Sequence, residues 1–205
     1  MISTLKKYWI SMLKEPRNTV HEALIEGTKG TTILLIILFG ATLFISAAVS
    51  RDLGDTTPTL VILLLSLILG PIIGAITWGL LFCLTYVGSR LFQGYATLEE
   101  TRKAISWATI AYSTKLVIYI PSLLIFRGEM FSSEQPIIQS SGFVTFLFLL
   151  FLLLDIAFTI YFFIVASKVV AEMNRFSPWK GFGSIFLIIG ATLFLLLSIG
   201  YVINL

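Results

Sequence analysis

Two ionisable residues stand alone inside long apolar runs: Lys115 between Ala104 and Phe126, and Asp155 between Phe143 and Ser167. Charges at bilayer depth are costly, so they pair, turn inward or perform a function. Each run is long enough to span a membrane, because about 20 apolar residues cross a hydrocarbon core of roughly 30 Å. The chain passes through the two runs in opposite directions. Counting from the ends that share one face, Lys115 lies roughly 16 Å beyond Ala104 and Asp155 roughly 20 Å from Lys168, at about 1.5 Å per residue. The depths agree within about one helical turn, which predicts that the two side chains face each other inside a helical bundle. Three chemistries fit such a pair: an ion pair that fixes helix register, a relay in a solute or proton path, and a polar patch against a partner's membrane helix.

Other chemistry is sparse. The single histidine, His21, falls in the N-terminal region, and the single cysteine, Cys83, lies in an apolar run, where it can neither close an intramolecular disulfide nor build a metal site alone. The chain has no HExxH, no GxSxG elbow and no phosphate-binding loop ending in GK[ST]. Glu99-Glu100 resembles the paired glutamates of intramembrane CAAX-type proteases, but Ala104 stands where that motif needs arginine, and no span carries a histidine. An intramembrane aspartyl protease needs two embedded aspartates, and only Asp155 qualifies. The expectation is a non-enzyme without catalytic residues, cofactor or metal.

The elements that position Lys115 and Asp155 follow from composition and order. The 205 residues are 57% hydrophobic and 12% charged, with a mean hydropathy of +0.97. A soluble domain of this length could not hide so much apolar surface, so the class is a polytopic membrane protein. A net charge of +3 without a basic stripe excludes a nucleic-acid partner. No secretory signal is expected at these residues, because Lys14, Glu15 and Pro16 break the apolar residues that follow Lys6 and Lys7, and the first span is expected to serve as the insertion signal.

Two units are expected, a cytoplasmic segment over 1–30 and a transmembrane domain over 31–205. In Ile2 to Lys14, Leu5, Trp9, Met12 and Leu13 recur at helical spacing, which predicts an amphipathic helix on the membrane surface. Pro16 ends it. Thr19 and Glu22 fit a capping box for a second short helix, Val20 to Glu26. Five spans follow, over 31–49, 59–87, 104–126, 143–167 and 181–204. The second is unusually long, and Gly70-Pro71 in its middle predicts one bent helix with the kink at Pro71. Gly70 and Gly74 make a GxxxG pair that allows close helix contact, either internally or with a partner. The third span, rich in Ser, Thr and Tyr, should be the least lipid-exposed. Thr97 and Glu100 predict a cap at its entry.

Lys6, Lys7, Lys14, Arg17, Lys29, Arg90, Arg102, Lys103, Lys168, Arg175 and Lys180 all fall on one side of this layout, against Arg51 and Arg127 on the other. The positive-inside rule then places the N-terminus in the cytoplasm and the C-terminus outside. The same basic loops read as topology signals rather than as a site for acidic lipids. Trp9, Trp107 and Trp179 fall near predicted membrane surfaces and read as interfacial anchors.

The stretch Leu91-Phe92-Gln93-Gly94-Tyr95-Ala96-Thr97-Leu98-Glu99-Glu100 resembles the cytoplasmic turn and helix entry of the Ypt-interacting-protein (YIP) family. Trp9 with Pro16-Arg17-Asn18-Thr19 resembles the N-terminal segment of bacterial members. Asp155 with Tyr161 resembles the fourth span, and Phe176-Ser177-Pro178-Trp179-Lys180-Gly181 the turn into the last helix. Lys115 and the late Pro121 depart from the pattern, and the long cytosolic region of eukaryotic members, with its link to vesicle traffic, has no counterpart. The resemblance implies an all-α, five-span bundle in the cell membrane of a bacterium. It also implies a non-enzymatic accessory or scaffold acting through other membrane proteins, an ABC-type exporter among them. The rival reading is a small transporter or conduit lined by Lys115 and Asp155.

Overall fold

A computed structural model describes residues 2–187 and Gly190. It is an all-α bundle with helices α1 (Ile2–Lys14), α2 (Pro16–Glu26), α3 (Lys29–Ser50), α4 (Thr59–Ile68), α5 (Gly70–Leu91), α6 (Leu98–Ser113), α7 (Leu116–Phe126) and α8 (Gly142–Asn174). A further helix, α9, is described over 178–187. The predicted fifth span, 181–204, and the exit of the C-terminus lie largely outside the described residues. Among the described residues, four stretches are long and apolar enough to cross a membrane: α3, α5, α6 with α7, and α8. The short apolar α4 extends α5.

Local chemistry sets most boundaries. Thr28 and Ser141 cap α3 and α8 by accepting the Thr31 and Val144 amides. At α6 the capping box is complete: Glu100 donates its amide to Thr97 Oγ1 (3.2 Å), and the Thr97 amide donates to the Glu100 carboxylate (2.7 Å). Thr97→Ala should cost about 1 kcal/mol, read as a lowered unfolding midpoint with the cavity chemistry below unchanged. The capping box expected at Thr19 and Glu22 does not form. Pro16 opens α2 itself, and Thr19 is buried within that helix, because proline suits the first helical turn.

The second span divides at Leu69, where α4 ends and α5 begins, with Leu69 itself in helical backbone. Pro71 has no N–H to offer, and the helix restarts at Gly70. The third span also differs from one continuous helix. At Thr114-Lys115 the bonding tightens to i→i−3, with Lys115 N–H donating to Tyr112 O (3.1 Å) and Ile118 N–H to Lys115 O (2.8 Å). Pro121, one turn further on, withholds the donor that Val117 O would otherwise receive.

Gly70 and Gly74 form a packing face, and α3 occupies it. A Cβ on Gly74 would lie 2.7 Å from Gly40 Cα, and one on Gly70 2.8 Å from Ala41 Cα. The face is therefore internal and not available for lateral contact with a partner. The interior is apolar at both ends of the bundle. One cluster gathers Tyr8, Met12, Phe39, Trp107, Tyr112 and Phe162; the other gathers Ile45, Ile62, Tyr119, Phe126 and Phe131.

At the end away from α1 and α2, the two loops are tied together. Asp55 accepts the Ser133 amide (2.9 Å) and hydroxyl (2.6 Å). These bonds, the hydroxyl first, hold its carboxyl below the usual range. A lowered folded value stabilises above the unfolded value and is lost as pH falls through the folded one. Hydrogen-exchange protection of the Ser133 amide should therefore persist from neutral pH through the ordinary aspartate range and collapse only below it. In Asp55→Ala it should be absent throughout.

Candidate functional site

Lys115 sits at the tightened turn between α6 and α7, and Asp155 lies on α8, which runs antiparallel beside them. Lys115 Nζ is 2.9 Å from Asp155 Oδ2. The other carboxylate oxygen accepts a 2.6 Å bond from the Tyr119 hydroxyl. The ammonium also lies 4.4 Å from the centre of the Tyr112 ring, within cation–π range. Tyr112 and Tyr119 flank Lys115 at i−3 and i+4, so one helical face carries all three. That spacing was available in the sequence, but depth alone pairs only the charges and leaves the tyrosines unassigned.

The two charges differ in exposure. The Lys115 side chain is 1% exposed, whereas that of Asp155 is 24% exposed. On the α1 side of the pair, Phe39, Tyr112 and Phe162 form a buried triad, with Tyr112 edge-on to both phenylalanines at 5.4 and 5.7 Å. On the other side lies a cavity of about 80 Å³ between α3, α7 and α8, lined by Ser46, Ser50, Tyr119, Ser122, Phe151 and Asp155 among others.

The tryptophans fall in three different settings. Trp107 is not an interfacial anchor: it is 2% exposed, edge-on to Tyr8 at 5.7 Å. Helix α1 explains this, because Leu5, Tyr8 and Met12 turn onto the bundle and cover Trp107. Tyr161 of α8 donates to the Leu13 carbonyl and pins the same helix. Trp9 is half-buried against this cluster, and Trp179 is 82% exposed. Trp78, which carried no expectation, donates to Ser106 across α5 and α6 at 2.9 Å.

The turn between α5 and α6 is built around Asn174. Its Oδ1 accepts the Ala96 amide at 3.1 Å, and Arg90 holds the Gly94 and Ala96 carbonyls. Gln93, not Gly94, takes the left-handed backbone (φ 61°). Gly94 is required for space, since a Cβ there would run into Asn174 Oδ1. Neither Arg90 nor Asn174 is singled out by the sequence, because their partners are 4 to 78 residues away and carry no motif of their own. Among the described residues, no cluster of three His, Cys, Asp or Glu side chains is placed to hold a metal ion.

An all-helical bundle with several membrane-length helices, the most enclosed of them carrying a buried charge, defines a multi-pass membrane protein. The chain belongs to the Yip1 domain family, whose profile matches residues 10–199. Comparison with curated proteins and with solved structures gives no match. The matched residues include the Gly94 turn, the Lys115–Asp155 pair and the Phe176–Gly181 turn.

Proposed function

We propose that this protein is a non-enzymatic accessory or scaffold that acts through other integral membrane proteins in a bacterial cell membrane, with an ABC-type exporter as the favoured partner class. The observation that supports this reading is the mutually bonded Lys115–Asp155–Tyr119 cluster. The ammonium is enclosed, both carboxylate oxygens are engaged, and an aromatic triad lies directly beneath. Such a cluster holds α6, α7 and α8 in register, and leaves function to the outer surfaces. The test is purification at native expression into nanodiscs, with mass spectrometry of what remains bound. A stoichiometric membrane complex supports the reading, and an exporter in it supports the finer form. A chain recovered only as a monomer or homo-oligomer counts against both.

One observation favours the conduit reading: the carboxylate of Asp155 borders a cavity. A relay needs that carboxylate and its cation. If Lys115→Met with Asp155→Leu retains the native membrane phenotype, the conduit reading fails and the scaffold reading stands.

A further inference from the structure

We infer that the cavity beside Asp155 is a one-sided water vestibule, open toward the end away from α1 and α2 and closed at the ion pair. A carboxylate with 24% of its side chain exposed near the middle of α8 cannot face hydrocarbon without a large cost. Its exposed surface must meet a hydrogen-bond donor, and the cavity is where one fits. The volume of about 80 Å³ is several times the roughly 15 Å³ that admits a single water.

The lining selects for donors. Ser50 Oγ donates to Ser46 O and Ser122 Oγ donates to Ile118 O, so both hydroxyls turn lone pairs outward. Each carboxylate oxygen of Asp155 has one bond and keeps acceptor capacity. Water, which both donates and accepts, satisfies such a wall. Ser46 and Ser50 stand one turn apart on α3, and Ser50, the last residue of that helix, is exposed. They make a polar stair from the surface to the pair. The other direction is shut: Tyr112 lies about one turn from Lys115 and Phe162 about two turns from Asp155 along their helices, Phe39 of α3 packs against both rings, and all three are buried.

The test is thiol labelling of Ser46→Cys in a Cys83→Ser background, in vesicles of either sidedness, with a membrane-impermeant, water-soluble methanethiosulfonate and with silver ion. A thiol reacts as its thiolate, which forms in water and not in hydrocarbon. Added at the face away from α1 and α2, the probes should modify Ser46→Cys about tenfold or more faster than the native Cys83 on the outside of α5. Added at the α1 face, they should not reach it. Ser122→Cys, on the opposite wall, should follow Ser46→Cys, and Leu35→Cys, buried beyond the triad, should stay unreactive from both faces. Rates at positions 46 and 122 no faster than at Cys83 overturn the inference, as does labelling from the α1 face. Protection in native membranes that is lifted on purification overturns it too, and assigns the cavity to a partner's helix.

Discussion

Asp155→Leu alone should destabilise the protein by about 3–5 kcal/mol, the usual cost of leaving one member of a buried ion pair uncompensated. The ammonium of Lys115 is enclosed, and among the described residues its partners are the Asp155 carboxylate and the Tyr112 ring. Losing the carboxylate also removes the acceptor of Tyr119, a buried hydroxyl whose loss of partner adds about 1–3 kcal/mol before relaxation. Lys115→Met should cost less, because Asp155 keeps the Tyr119 bond and borders a cavity that can hydrate it. The double variant Lys115→Met/Asp155→Leu should recover most of the loss, since an apolar pair at such a site is often neutral. The check is a double-mutant cycle from reversible unfolding in mixed micelles. A loss in the double variant equal to the sum of the two single losses would mean that the pair contributes no coupling. The expected order of stability is native, double variant, Lys115→Met, then Asp155→Leu.

The ion pair was legible because depth is a one-dimensional quantity. Two spans of opposite direction and counted length place their charges at matching heights, and burial does the rest. The α6 cap was legible for a similar reason, since Thr97 and Glu100 act within four residues. What the sequence hides is rotation about the helix axis and contact between distant segments. Trp107 looks interfacial by height, and only α1 folding onto the bundle makes it a core residue. Thr19 and Glu22 have capping spacing, yet Pro16 starts the helix one turn earlier. The tightened turn at Lys115 carries no local motif, since Thr114 and Lys115 bond in the i→i−3 pattern without a glycine or proline of their own. Gly94 was visible as part of a motif, but its reason is Asn174, 80 positions away.

Gly70 and Gly74 show the same limit most sharply, because the GxxxG spacing reveals a close contact without naming its partner. The partner is Gly40. A Cβ there would run into the Gly70 carbonyl and lie 2.7 Å from Gly74 Cα, so backbone rather than flexible side chain would have to move. Gly40→Leu should therefore force α3 and α5 apart, with a loss of about 3 kcal/mol or more from overpacking, and even Gly40→Ala should be clearly destabilising. Because α3 carries Ser46 and Ser50, the same displacement would widen the cavity beside Asp155 and speed labelling at position 46. Gly79, on the same helix as Gly70 and Gly74, provides the contrast: a Cβ there meets nothing within 4 Å. Gly79→Ala should be neutral or stabilising by about 0.5–1 kcal/mol, since alanine loses less backbone entropy in a helix. Unfolding midpoints for the three variants decide the matter. If Gly79→Ala were as damaging as Gly40→Ala, glycine would be needed in these helices for backbone flexibility, and the packing explanation would fail. If only the Gly40 variants are damaged, the glycine pair of α5 is spent inside the chain and partner contacts must be sought on other faces.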